Sequence, residues 1–449
     1  MTALAAAASG PLPIREHPTS NHISFNQEQI CLLEAFYPNK GAYNALTKIH
    51  IQGRLDVNCL EKAVTHIVGR HEMLRTTIAL ETDGFRANVH PHHTVNISID
   101  DLSALPEKAQ LQAFDECFRR ALARRFRVEQ LPLFEICAIK FGPEAWKLIQ
   151  VEHHAVHDGW SFGRLWTEIQ TAYNAFDSGD KPSLPALPTQ YQQFVHWQRE
   201  RLAGSYGTAA LEFWCSYLAE FDHHRVVTVS SKSQRQGKIS NFTTEVSESH
   251  CVRVELAARK LGVSAFVLMF STFILLLAHR TAQEELTVGT AVSARTEPDL
   301  EPLIGMIVNT LPIRVSLGHD RSIRTTCRLV QTSLFKSLRY PDVPLSLIVR
   351  RLGLTETRGR NPVFQQCFSF HDSVIPRIEL NGATGLIEEE HNCVSKFDIN
   401  VVAIPPNIAR GTKSMRMFWQ FAEGLLSESE CVRFADEYAA LLVQVVASA

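Results

Sequence analysis

A chain of 449 residues is too long for one ordinary core, so two domains are expected. Hydrophobic residues make up 45% and charged residues 20%, the balance of a soluble globular protein. The 45 Lys and Arg residues against 47 Asp and Glu leave a net charge of −2, with no basic excess directed at nucleic acid and no charge block directed at a membrane surface.

Residues 1–20 combine small residues and prolines without a basic or long apolar segment, which reads as a flexible leader rather than a signal peptide. Residues 21–200 read as mixed α/β. A strand is expected over about 46–52, followed by a helix that places Leu60, Val64, Ile67 and Val68 on one face. Two β-rich runs around Gly142 and Pro143 form a hairpin. Phe162, Leu165, Trp166 and Ile169 then recur at helical spacing, marking an amphipathic helix that begins near Ser161. The proline-rich 180–190 interrupts the pattern, "YQQFVHWQRERL" resumes it as a helix, and the polar 230–240 is a surface loop. Val263 to Ala278 is apolar but too short to span a bilayer, and reads as a buried helix with Ser264 near its start. The boundary between an N-terminal lobe, 21–205, and a C-terminal lobe, 206–449, falls in the 200–230 region. The ten cysteines stand singly, none at Cys-x-x-Cys spacing, as reduced and mostly buried thiols of a cytoplasmic protein do.

The densest chemistry lies in "VEHHAVHDGWS", Val151 to Ser161. Metal binding is disfavoured: His153 and His154 end a strand and point to opposite faces, and no third or fourth ligand stands at zinc spacing. Acid–base chemistry fits better, because imidazole titrates near neutrality. The histidines leave a strand, Gly159 permits a tight turn or a close ligand, and a helix N-terminus follows, whose amides favour developing negative charge. Asp158 admits two roles, orienting an imidazole as in a hydrolase triad or pairing with an arginine in the protein interior. No Gly-x-Ser-x-Gly elbow is present, which favours the pair.

"HHAVHDG" resembles the HHxxxDG signature of the condensation domains of non-ribosomal peptide synthetases, within the chloramphenicol-acetyltransferase-like superfamily. Further segments follow in the family's order. "SFNQEQICLLE" (24–34) is similar to its opening motif, with Ile30-Cys31-Leu32 in place of Arg-Leu-Trp, and "RHEMLRTTI" (70–78) to its second. "YQQFVHWQ" (191–198) carries Gln193 where the family has Asp. "VGTAVSARTEPDLEPLIGMIVNTLPIR" (288–314), "YPDVPLSLIVRRLG" and "RNPVFQQCFSF" (340–370) and "SKFDI" (395–399) complete a resemblance that covers roughly 22–445.

The resemblance implies two acetyltransferase-like lobes of α/β (α+β) class, arranged as a V-shaped pseudo-dimer with a central tunnel. It implies a catalytic His154, a supporting His153, a Gly159 amide facing the oxyanion, and a structural ion pair between Asp158 and Arg295. Trp160, Ser161, Asn309 and Ser395 become candidates for the tunnel lining. No metal and no bound cofactor are implied; the substrates ride on the phosphopantetheine of carrier proteins. An acyl or peptidyl carrier protein would bring the donor, and the acceptor would be a small molecule or carrier-bound. The enzyme is expected as a monomer. With no adenylation segment and no Leu-Gly-Gly-x-Ser motif in the sequence, the chain reads as a free-standing enzyme that forms amides or esters and releases chains. Two alternatives remain. A CoA-dependent acyltransferase of the same superfamily would carry an Asp-Phe-Gly-Trp-Gly motif, which is absent. A non-catalytic recruitment module would ordinarily lose a motif histidine, and both are present.

Overall fold

The computed structural model describes residues 21–36, 43–219, 240–354, 361–373, 375–390, 395–406, 412–422 and 424–449. The leader 1–20, the polar loop up to 239 and Cys393 lie outside the described residues. The strands in chain order are β1 (Asn44–Gly53), β2 (Thr76–Glu81), β3 (Gly84–Val89), β4 (Ser98–Asp101), β5 (Phe134–Gly142), β6 (Ala145–His153) and β7 (Ser240–Val246). There follow β8 (Glu285–Ser293), β9 (Val308–Ser316), β10 (Gln366–Phe370), β11 (Ile378–Leu380), β12 (Ala383–Glu390), β13 (Ile399–Ile404) and β14 (Met415–Phe421).

They form two six-stranded sheets, ordered β11-β12-β1-β6-β5-β4 and β7-β14-β13-β10-β8-β9, and the small ribbon β2-β3. The first sheet is antiparallel except for β4 beside β5. In the second, β10 runs parallel to both its neighbours.

Helix Val57–Arg70 begins where Asp56 accepts the Cys59 amide at 3.1 Å, and it buries Leu60, Val64, Ile67 and Val68 against the first sheet. Helix Gly159–Asp177 lies beside it and contributes Phe162, Leu165, Trp166 and Ile169 to the same core. The second core surrounds helix Ala265–Thr281, capped by Ser264. That helix is buried on nearly every face, as a helix without a polar side must be in a globular fold. Among the described residues no single helix is long and apolar enough to cross a membrane.

The two halves are not cleanly separated in sequence. Strands β11 and β12 come from the second half yet complete the first sheet, with β12 paired to β1 from Leu46–Glu390 to Gly53–Ala383. The segment after β8 reaches back in the same way: Ala294, Leu300, Leu303 and Ile307 pack with Met73, Val156, Tyr191 and Phe194. Gly305, at φ +153°, lies so close to Tyr191 that a Cβ there would stand 2.2 Å from its ring. Only glycine lets the backbone pass there.

Because Ile387 of β12 is buried in the first core, Ile387→Ala is expected to destabilise the protein by about 2–5 kcal/mol. Urea unfolding followed by fluorescence of the buried Trp166 measures it; an unchanged midpoint would mean that β12 docks without contributing stability.

Candidate active site

The site forms where β6 ends. His153 donates its amide to the Leu133 carbonyl at 2.9 Å and His154 to the Tyr43 carbonyl at 2.7 Å, so both backbones stay tied to neighbouring chain as the strand stops. Their side chains then diverge. His153 is buried; its Nδ1 accepts the Ala155 amide at 3.2 Å, which leaves Nε2 to donate to Glu34 at 3.0 Å. His154 is only partly buried as a residue, and its ring Nδ1 is buried with no hydrogen-bond partner among the described residues. It stacks on His157 with centroids 6.3 Å apart and planes at 30°.

Burial pushes the His154 pKa well below the usual imidazole value, and Lys396, His157 and His153 push it the same way. The ring is therefore neutral at cellular pH, which leaves it able to take a proton. Behind it lies a second buried pair. His157 Nδ1 sits 3.3 Å from Glu152 Oε1, Gln150 donates to the other Glu152 oxygen at 3.0 Å, and Trp166 donates to Gln150 at 2.8 Å. Burial raises the Glu152 carboxyl to about 8 and lowers His157 to about 4, so both are neutral near pH 7.

Asp158 does not touch the imidazole of His154. It caps helix Gly159–Asp177, which therefore begins two residues before the Ser161 expected from periodicity. Its carboxylate accepts from the Ser161 amide (2.9 Å) and hydroxyl (2.6 Å), from Arg295 Nη1 (2.8 Å) and Nη2 (3.1 Å), and from the amides of Ile307 (2.9 Å) and Val308 (3.1 Å). Burial alone would raise its pKa; Arg295 and Ser161 outweigh burial and hold it below the ordinary carboxylate value. Of the two roles open to Asp158 from sequence, the geometry gives it the pairing one.

The remaining candidates divide. Gly159 opens the helix with ordinary backbone geometry, and a Cβ there would meet nothing nearer than Ser373 Oγ at 3.9 Å. The turn therefore does not require glycine; what glycine leaves is open space beside the first, unbonded amide of the helix. Trp160 donates its indole N–H to the Glu301 carbonyl at 2.9 Å, spanning the two halves. Ser161 was a candidate for the lining, but it is fully buried and committed to Asp158, Arg295 and the Gly305 amide. Asn309 was another; its amide is buried and bonds the carbonyls of Pro341 and Val343, holding a loop. Both side chains have their polar atoms bonded within the protein, so neither has one free to bond a ligand. Ser395 is part-open and turns its hydroxyl to the Phe397 carbonyl.

Sequence reasoning gave no role to Glu34, Glu152 and Lys396, although each stands inside a segment quoted above; only the folded contacts show what each lies beside.

The condensation-domain family model matches residues 19–449. The chain belongs to the condensation-domain family. Chondramide synthase cmdD of Chondromyces crocatus is 29% identical over 388 residues, covering 85% of this chain and 10% of that protein. Phosphinothricin tripeptide synthetase PhsC of Streptomyces viridochromogenes is 28% identical over 380 residues, covering 82% and 34%. This condensation domain thus spans a minor part of the curated relatives it matches. Among solved structures, the X-domain from teicoplanin biosynthesis superposes with a TM-score of 0.84 at 20% identity, covering 97% of each chain. The starter condensation domain of rhizomide synthetase in complex with C8-CoA gives 0.83 at 19% identity, covering 96% and 95%. The two-sheet architecture is therefore the chloramphenicol-acetyltransferase-like fold of these domains.

Stranding either partner of the buried Asp158–Arg295 pair should cost about 3–5 kcal/mol, so Asp158→Ala and Arg295→Ala each lower the urea midpoint, and the double variant costs less than their sum. A strictly additive cycle would refute the coupling. Because the folded carboxyl pKa is depressed, its stabilisation is complete above the ordinary value and fades as pH falls through the folded one. The deficit of Asp158→Ala against wild type should accordingly shrink below about pH 4.

Proposed function

We propose that this condensation domain transfers an acyl group from a phosphopantetheine thioester on a carrier protein to an amine or hydroxyl acceptor, in non-ribosomal peptide or hybrid polyketide assembly, chain release included. The observation that carries the proposal is the neutral imidazole of His154, a partly exposed residue held at a strand end by its backbone, with no carboxylate among the described residues bonded to its ring.

The chemistry follows from that state. The acceptor N–H or O–H approaches His154, which takes its proton as the nucleophile adds to the thioester carbon. The tetrahedral oxyanion collapses, the C–S bond breaks, and the thiolate leaves with the proton that His154 returns. A thioester is already activated, so no acyl-enzyme is needed, and Cys367 does not offer one: burial pushes its thiol up to about 12. Holding both reactants together contributes several kcal/mol more. A relative named as a tripeptide synthetase, and a solved fold-mate in complex with C8-CoA, support this choice of donor.

The test mixes acyl-loaded carrier protein, or acyl-CoA, with a panel of amines and alcohols and follows the carrier mass. Acyl loss that depends on the enzyme and on one acceptor supports the proposal. Transfer from CoA alone would move the assignment to a CoA-dependent acyltransferase, and binding without turnover to a recruitment module. His154→Ala should slow transfer by about 10²–10⁴-fold while leaving the melting temperature near wild type, since the ring forms no ion pair and its buried Nδ1 has no hydrogen-bond partner to lose among the described residues. With the His154 pKa depressed, the base form persists as pH falls, so the acid limb of the rate should lie below 6.5. A limb at or above 6.5 would remove His154 as the titrating base.

A further inference from the structure

The first sheet has two faces, and only one is fully covered. Ile49 and Ile51 of β1, Leu148 of β6 and Ile387 of β12 face the core that helices Val57–Arg70 and Gly159–Asp177 close. Alternation sends Lys147, His50, Gln52, Thr384 and Leu386 to the opposite face. Helix Glu107–Leu122 covers part of that face, where Phe114 and Cys117 pack on Ile139 and Ile149. Beyond it lies a half-open cavity of about 360 Å³, in which Leu386 stays 45% exposed.

Register builds the floor of this cavity. His50 pairs with Lys147 on one side and Leu386 on the other, and Gln52 with Ala145 and Thr384, so two rows cross β6, β1 and β12 side by side. Phe141 near the end of β5 and Arg377 just before β11 add to the lining. The Lys147 ammonium lies 4.4 Å from the centre of the Phe114 ring and 4.8 Å from that of Phe141, so two aromatic faces hold it beside the cavity. No ion pair ties Lys147 or Arg377 to a carboxylate among the described residues, and none of the residues lining the cavity is Asp or Glu. Glu388, the next outward residue on β12, is engaged by His50 at 3.2 Å and by Arg416 at 3.4 Å. The Gln52 amide and the Thr384 hydroxyl have no hydrogen-bond partner among the described residues. The cavity thus offers cations and neutral donors without an anion of its own, next to the apolar Leu386 and Phe141.

We infer that this cavity binds a small organic anion, with its carboxylate or phosphate head group on Lys147 and Arg377 and its apolar body on Leu386 and Phe141. Gln52 and Thr384 supply neutral donors to the remaining oxygens of the head group. Solvent-exposed cations alone hold an anion weakly, because water and salt compete for both charges. The apolar wall is what selects an organic anion over an inorganic one. The site is separate from the imidazole of His154: Lys147 and His153 belong to one strand, roughly 20 Å apart at the usual rise. The inference therefore stands or falls independently of the proposed acyl transfer.

The test follows ¹⁹F NMR of 4-fluorobenzoate and 4-fluorophenyl phosphate, with 4-fluorobenzamide as the neutral control, against the full chain at physiological salt. At least one anion should shift saturably and the amide should not; the anion that binds more tightly identifies the head group as carboxylate or phosphate. Lys147→Met and Arg377→Met should each weaken that binding about ten-fold, since each removes a hydrogen bond to a charged group. Leu386→Asp, which sets a like charge on the wall, should weaken it at least as much. Arg377 and Leu386 are exposed, so their variants carry the test should Lys147→Met fail to fold, and an unchanged urea midpoint confirms that they are folded. Inorganic phosphate at equal concentration should displace neither probe. Saturation by neither anion, an amide that binds as tightly as both, displacement by inorganic phosphate, or binding that folded Arg377→Met and Leu386→Asp leave unchanged overturns the inference.

Discussion

The site depends on one buried carboxylate. Asp158 is almost wholly excluded from water, and an ionised carboxylate there is stable only if its lone pairs are filled. They are filled from both halves of the chain: Ser161 from its own helix, Arg295 after β8, and the amides of Ile307 and Val308 leading into β9. One side chain thereby fixes where helix Gly159–Asp177 starts and where the 295–308 segment crosses over it. The bidentate guanidinium matters here, because its planar fork sets an orientation that a lysine would not. Ser161 extends the same network by accepting the Gly305 amide, at the point where the backbone passes Tyr191 with no room for a side chain.

With the loop fixed from that side, the two histidines take opposite roles. His153 is bonded at both ring nitrogens, to Ala155 and Glu34, and cannot offer either to a ligand. His154 is anchored through its backbone, and no carboxylate among the described residues bonds its ring. A base must be free to exchange a proton, and a ring already held by a carboxylate would be biased toward the charged form. A His154 that no described Asp holds is thus consistent with a thioester donor: an activated acyl group asks for a correctly placed neutral base, not for an activated protein nucleophile. The neutral Glu152–His157 pair beneath the ring adds bulk and polarity without adding net charge.

Much of this was legible in sequence, and the part that was not has a common physical cause. Periodicity and capping chemistry are local, so the helix after Asp56, the buried helix after Ser264 and the hairpin around Gly142 could be read from spacing alone. The HHxxxDG segment located His154, the proposed base, and the buried carboxylate of Asp158. Ser161 and Asn309 were put forward as lining from their place near the site, but their polar atoms are spent inside the protein. In a crowded interior, satisfying the backbone competes for the same side chains, and at both positions it wins. Glu34, Lys396 and the placement of β12 depend on pairings between distant segments, and no local pattern reports those. β12 itself alternates buried Ala383, Gly385 and Ile387 with more open residues, as a half-buried strand should; its spacing showed neither which sheet it joins nor that its neighbour is β1.

Placing the network at the crossing of the two halves has an energetic consequence. A well-packed apolar replacement for a buried ion pair is often as stable as the pair or more so, so stability alone does not explain Asp158 and Arg295. What an apolar pair would lack is direction. It would leave the amides of Ile307 and Val308 without acceptors and helix Gly159–Asp177 without its cap, and the segment facing the helix start could then shift relative to His154. A shift of about 1 Å between base and reacting carbon is enough to lower a rate by orders of magnitude. The ion pair is therefore better understood as setting the distance between the halves at the imidazole, with its contribution to stability following from the same bonds. That separates it from His154, whose ring is bonded to no carboxylate among the described residues and whose buried Nδ1 has no hydrogen-bond partner among them.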